Sequence, residues 1–474
     1  MVTVKEQPRS HFEHSNGRKK SNSRIQMTLS PTLQSLMLWI SLLITSGALA
    51  MVPISVIGIF IPFVSLFAWV ALFSSMIITM YAIAWSSYLF VAQQDSSVYT
   101  SLGSSSLSSY VPFLPWTPER CFKVTLSVCR YIRTCAGFLW LSIDWYFQYR
   151  YTCRCRKAGL PVFESINYSI PFSHKKLDVY PAAIEQDKNM YQEIRGSPVV
   201  VFVPTAFFPV QLTSHRKAYI QLALNMQQLG YCVVIPDITY YPKDRIRQSV
   251  VDLRLALSWV GAHIATYRGD PSRIYLMGTG CSAELITLTL AQEAVVLSRA
   301  LSDTNGSDEG NNRFRKEMEI PLKRTEIYAP QVRLPAFAGV ILIAGLSDLI
   351  KGYLHECELG VEHLSFLHRW AGPQSKQYLM HSPTHLLDYS KSIIDPSFLP
   401  PRFLLIHGGS DGYVPISQSI LLKSLLQDVG VELVDLQAFR DMTHADTLKS
   451  LLARSTRVAP HAMTVMTAIY RFIL

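Results

Sequence analysis

From Ile25 to Gln94 the chain has no Asp, Glu, Lys or Arg, and Leu, Ile, Val, Phe, Met and Trp dominate. A bilayer core about 30 Å thick takes about 20 apolar residues as helix, so this run is long enough for two spans. Pro53 and Pro62 lie near its middle. They would break one helix and start another, which predicts spans near Leu33–Met51 and Phe63–Val91. The connecting residues Ile54–Ile61 are themselves apolar, so a hairpin entering and leaving by one face stands beside the two-span reading. A cleavable signal peptide is disfavoured, because its apolar region would be far shorter.

Past about Gly159 the pattern changes to short β-rich apolar runs alternating with amphipathic stretches, as in a mostly parallel sheet covered on both faces. Strands are predicted at Pro198–Val203, Tyr231–Pro236, Arg273–Met277, Phe337–Ala344, Arg402–His407 and Glu432–Ala438. Helices are predicted at Tyr219–Leu229, Asp244–Tyr267, Ala283–Val296 and Val465–Ile473. In Asp244–Tyr267 the residues Val250, Leu253, Leu257, Val260 and Ile264 recur at helical spacing. The expected organisation is a basic disordered tail (1–30), a membrane segment (31–94), a basic and aromatic juxtamembrane region (95–158) and an α/β domain (159–474). Within that domain the polar stretch 303–324 reads as a disordered insertion. The segment 349–389 reads as a lid or as a plain surface subdomain.

Composition adds a direction to this picture. The net charge of +10 owes much to Lys5, Arg9, Arg18, Lys19, Lys20 and Arg24 before the apolar run and to Arg120–Lys157 after it. Basic flanks on both sides place both ends in the cytosol and favour anionic lipid head groups. No nucleic-acid motif accompanies them, and the aromatic neighbours Phe138–Trp140 and Trp145–Phe147 suit a membrane interface or a buried helix. The eight cysteines show neither metal spacing nor paired framework and read as reduced thiols.

The stretch Gly269-Asp-Pro-Ser-Arg-Ile-Tyr-Leu-Met-Gly-Thr-Gly-Cys-Ser-Ala-Glu-Leu reads as strand, sharp turn and helix. It resembles the nucleophile elbow of α/β-hydrolase esterases, in particular the isoprenylcysteine methylesterase-like group, whose members read roughly Gly-Asp-Pro-x-Arg-Ile-Tyr-Leu-Met-Gly-x-Ser-Ala-Gly-Ala here. The resemblance runs from about Asp178 to near the C-terminus, through Pro236-Asp237, Tyr241-Pro242, Tyr353-Leu-His-Glu and Gly360-Val-Glu, and excludes the apolar run. It implies the α/β-hydrolase fold and carboxylic-ester substrates with an apolar group. Counting from either end of the motif puts the nucleophile at Gly280, which has no side chain and cannot attack a carbonyl. A shifted register would use Ser282, in a degraded Gly-x-Ser-x-Gly spanning Gly280–Glu284. Cys281 is a weaker candidate.

The resemblance also places the acid at Asp411, after the strand Arg402–His407, and the base at His444, after the last strand. The oxyanion donors would be the backbone N–H groups of Thr205, Ala206 and Cys281, although Thr205 and Ala206 stand where the family carries glycines. Three readings follow. The first is a membrane-anchored, catalytically impaired esterase-like protein that binds a lipid-like ester or a protein partner. The second is an active hydrolase using Ser282. In the third, the N-terminal hairpin supplies the function by targeting a membrane or lipid-droplet surface. Neither metal nor organic cofactor is needed for this chemistry, and the endoplasmic reticulum membrane, with the domain facing the cytosol, is the expected location.

Overall fold

The computed structural model describes residues 31–93, 114–157, 162–169, 175–183, 196–206, 214–304, 332–372, 375–452 and 459–474. The basic tail at 1–30, residues 94–113 of the predicted membrane and juxtamembrane regions and most of the predicted insertion at 303–324 lie outside them.

The apolar run forms two long antiparallel helices, α1 (Pro31–Gly58) and α2 (Ser65–Gln93), joined by a short turn. The residues buried between them are small and recur every seven positions: Ser41, Ala48 and Ser55 on α1, Ala68, Ser75 and Ala82 on α2. Small side chains let two backbones approach closely, and Ser41 Oγ lies 2.8 Å from Ser86 Oγ across the seam. The outer faces and the turn are apolar and exposed, Phe60 at 82% and Phe63 at 97%. Pro53 does not break the first helix as its sequence position suggests; it lies inside α1. Pro53 removes one backbone donor, but Ala48 and Ser55 pack against α2 on either side of it and hold the helix on course. Both helices, and a third at Cys281–Leu301, are long and apolar enough to cross a membrane, but the third is 83% buried within the protein.

A 40-residue helix, α3 (Pro118–Lys157), follows. It buries Cys121, Val124 and Leu141 while leaving Phe122, Leu126, Ile132, Ile143 and Phe147 exposed. Trp145 Nε1 donates to Lys217 O, which fastens the helix to the domain behind it.

That domain is built on eight strands in the order β1-β2-β4-β3-β5-β6-β7-β8: β1 (Phe163–Asn167), β2 (Lys176–Tyr180), β3 (Ser197–Val203), β4 (Cys232–Pro236), β5 (Gly269–Thr279), β6 (Gly339–Ile343), β7 (Arg402–Gly408) and β8 (Leu433–Phe439). β1 and β2 are antiparallel additions at one edge, and the six strands from β4 to β8 run parallel. The six predicted strands are the parallel set, with ends moved by a few residues; β5 alone extends well beyond its predicted bounds. β1 and β2 carry too little apolar pattern to stand out. β2 holds Asp178, buried and ion-paired by Arg216 and Lys217.

Helices α5 (Ile246–His263), α6 (Cys281–Thr304), α10 (Pro383–Ser390) and α11 (Ser417–Val429) cover one face; α4 (Ile220–Gln228), α12 (His444–Leu452) and α13 (Ala462–Ile473) cover the other. The central strands are apolar on both faces because both are covered. Each fully buried Val, Ile or Leu there contributes about 1.5–3 kcal/mol.

The predicted lid is four helices, α7 (Leu349–Leu359), α8 (Phe366–Ala371), α9 (Ser375–His381) and α10. It is packed in place: Trp370 is fully buried, and its Nε1 donates to Ser249 Oγ on α5. The same segment carries the contacts to α2 and α3. Arg120 Nη2 donates to Glu362 Oε1 (2.5 Å) and to Tyr88 Oη (3.2 Å), and Arg369 Nη1 donates to Val91 O (3.2 Å).

Candidate active site

The turn between β5 and α6 crosses itself tightly. A Cβ on Gly278 would come within 2.9 Å of the Ser282 carbonyl carbon and 3.0 Å of Ala283 N, so only glycine fits there. Gly280 sits at the apex with φ +56°, the left-handed conformation of a strained elbow. A Cβ on Gly280 would meet only ordinary contacts: Thr205 Oγ1 at 3.4 Å and His444 Nε2 at 3.8 Å. The position that faces the base is therefore residue 280. Cys281 opens α6, so its backbone N–H has no intrahelical acceptor.

Ser282 is placed differently. Its side chain is fully buried, and Oγ accepts from Thr279 N and donates to Thr279 O, both at 2.9 Å. Both capacities of the hydroxyl are used inside the turn. Burial, with Glu284 and Glu356 nearby, raises the Cys281 thiol far above its usual range, which disfavours the thiolate.

The acid and base meet. His444 Nδ1 lies 2.7 Å from Asp411 Oδ2, and Asp411 Oδ1 accepts from Tyr413 N and Val414 N, both 2.9 Å. Burial alone would raise the Asp411 carboxyl, but the His444 charge and these hydrogen bonds outweigh it and hold the group below its ordinary value. Burial pulls His444 down, and the Asp411 carboxylate more than restores it, leaving the imidazole above 6.5. The second histidine nearby, His407, is fully buried between Ser419 Oγ and Val414 O, and burial depresses its basicity.

Of the oxyanion candidates, Thr205 N–H donates to Tyr219 Oη at 3.4 Å, Ala206 is buried three residues past β3, and Cys281 is the first residue of α6. Among the described residues no group of three His, Cys, Asp or Glu forms a metal-binding cluster.

The fold brings to the site several residues to which the sequence analysis gave no role, His355, Glu356 and Glu284 among them although they lie in stretches it quoted. Tyr413 lies 5.7 Å from His444, ring to ring, and His355 of α7 contacts Gly412 O at 3.3 Å, so the 349–389 segment rests on the acid's loop. Glu284 is buried one turn into α6, and neither of its oxygens has a partner among the described residues. Glu356 of α7 is half-buried with its carboxyl enclosed, Ser365 Oγ donates to it, and that burial lifts the carboxyl to about 8. Only burial distinguishes these groups, and linear sequence does not show it.

The Glu356 shift has a sign that stability measurements can read. The unfolded carboxyl ionises near 4.5, whereas the folded one keeps its proton to about 8, so the native state binds the extra proton between these values. Stability from this group is full below about pH 4.5 and is lost as pH rises towards 8. Glu356→Gln is expected to flatten that decline, on the order of a few kcal/mol at pH 8, in denaturation curves recorded from pH 5 to 8.

The sheet order, the glycine-bounded elbow and the Asp411–His444 pair define a member of the α/β-hydrolase superfamily. Residues 186–426 match the BD-FAE family model, and the chain belongs to that family. Among curated relatives, it is 26% identical over 329 residues to "Probable isoprenylcysteine alpha-carbonyl methylesterase ICMEL1" of Oryza sativa subsp. japonica, covering 68% of each chain. It is 26% identical over 292 residues to isoprenylcysteine alpha-carbonyl methylesterase ICME of Arabidopsis thaliana, covering 60% of each. These relatives are esterases by name, and the second alignment leaves two fifths of each chain unmatched. Among solved structures, esterase B from Lactobacillus rhamnosis inhibited by a tributyrin phosphonate aligns with TM-score 0.43 and 16% identity, over 71% of this chain and 96% of that one.

Proposed function

We propose that this chain is a membrane-anchored, esterase-like protein that binds a lipid-like carboxylic ester and forms no acyl-enzyme. The observation that carries this reading is Gly280 at the elbow apex, where a side chain would face His444 Nε2. Asp411 and His444 supply a base, but no hydroxyl stands at the apex to be deprotonated, and the Ser282 hydroxyl is spent on Thr279. Support for anchoring is the charge-free run and the exposed apolar faces of α1 and α2. Basic residues on both sides of that run favour two crossings or a hairpin, with the domain on the cytosolic face of the endoplasmic reticulum. The lid's contacts with the end of α2 would hold the site close to the bilayer, where an apolar ester partitions. A protein partner seated at the same site is the other occupant this shell would accept.

The test is treatment of the full native chain in detergent with a fluorophosphonate, followed by intact-mass measurement. No adduct is expected. An adduct on Ser282, lost in Ser282→Ala, would make this an acyl-enzyme hydrolase and end the reading.

A further inference from the structure

A binding shell needs no general base, yet this one retains a buried Asp411 carboxylate with three acceptor contacts and an imidazole oriented by it. His444 keeps 18% side-chain exposure while Asp411 has none. Because Asp411 accepts from Nδ1–H, the neutral imidazole carries its lone pair on Nε2, which has no partner among the described residues. That nitrogen and Thr205 Oγ1 converge on one point, at 3.8 Å and 3.4 Å from where a Gly280 Cβ would stand. Glycine leaves room there for one small polar molecule between a base and a hydroxyl, next in the chain to Cys281, the first residue of α6.

We propose that the site hydrolyses carboxylic esters directly with water, which is held between His444 Nε2 and Thr205 Oγ1 in the position a serine hydroxyl would take. This inference rests on the reading that no acyl-enzyme forms, and specifies what happens to the bound ester. His444 Nε2 takes a proton from the water as its oxygen bonds to the carbonyl carbon, and the carbonyl electron pair moves onto the oxygen beside Cys281 N–H. Collapse of the tetrahedral species re-forms the carbonyl and breaks the ester C–O bond. The proton on His444 passes to the departing alkoxide, giving an acid and an alcohol and returning His444 to its neutral state. Thr205 Oγ1 orients the water and does not itself bond to carbon.

The experiment uses the full chain in detergent, pre-treated with excess fluorophosphonate to silence contaminating serine hydrolases, with p-nitrophenyl butyrate as probe. Linear release without a burst, unaffected by the pre-treatment, is expected. His444→Ala should lower turnover about 10²-fold, the low end of what a positioned general base contributes. Thr205→Val should lower kcat about 10-fold with KM little changed, the worth of one hydrogen bond, and Thr205→Ser should restore it. His444→Gln, which keeps a polar group of similar size, serves if His444→Ala does not fold. Turnover indifferent to His444 and Thr205, or no turnover above buffer, would overturn the water route while leaving the binding reading intact. Loss of turnover on pre-treatment, with an adduct mapped to Thr205 or Ser282, would overturn both.

Discussion

Gly280→Ser is expected to convert a fluorophosphonate-silent protein into one that labels at that position, by at least about 10²-fold over the native chain, the usual reach of a general base. The expectation follows from how little would need to move. The added Cβ meets nothing closer than 3.4 Å, and its hydroxyl, one bond further, comes within hydrogen-bond reach of His444 Nε2. Asp411 already orients the imidazole, and Cys281, the next residue, already opens α6. The backbone is at φ +56°, so the substitution should cost about 1–2 kcal/mol, the strain of a left-handed non-glycine residue. Labelling should strengthen as pH rises, since the neutral imidazole is the active form and Asp411 holds its pKa above 6.5. A folded variant that stays unlabelled would show that the base and the elbow do not cooperate, and would remove the geometric ground for the water route.

Arg254→Ala is expected to destabilise the domain by about 3–5 kcal/mol, read as a lowered denaturation midpoint in detergent. Arg254 on α5 and Glu293 on α6 are both buried, and Arg254 Nη1 donates to Glu293 Oε2 at 2.6 Å. Removing the guanidinium strands a carboxylate whose remaining partner among the described residues is Leu334 N at 3.4 Å. Because the pair contributes less than its rupture costs, Arg254→Met combined with Glu293→Met should recover most of the loss. Equal losses in the single and double variants would show that shape, and not the stranded charge, sets the penalty.

Much of the scaffold was legible along the chain. The parallel strands are apolar at consecutive positions because both faces are covered, and their helices repeat at the period of one turn, so local pattern alone marks them. The elbow was legible because its geometry demands particular residues: Gly278 is required by the crossing of strand and helix, and the spacing around it locates Gly280. Less legible were β1 and β2, whose alternation is weak and whose place depends on Arg216 and Lys217 reaching Asp178 from another element. Pro53 misled for a similar reason. A helix breaker in isolation is tolerated where a neighbouring helix packs along both sides of it.

Sequence by itself determined that the chain has a long charge-free run, an α/β domain, and glycine where an esterase elbow carries serine, because each is a property of residue identity and spacing. Tertiary structure alone decided that His444 and Asp411 meet at 2.7 Å, that the Ser282 hydroxyl turns back onto Thr279, and that Thr205 and His444 converge on Gly280. Those are distances between segments far apart in the chain. They are set by how strands β3, β5, β7 and β8 align in one sheet, and local pattern carries no record of that alignment.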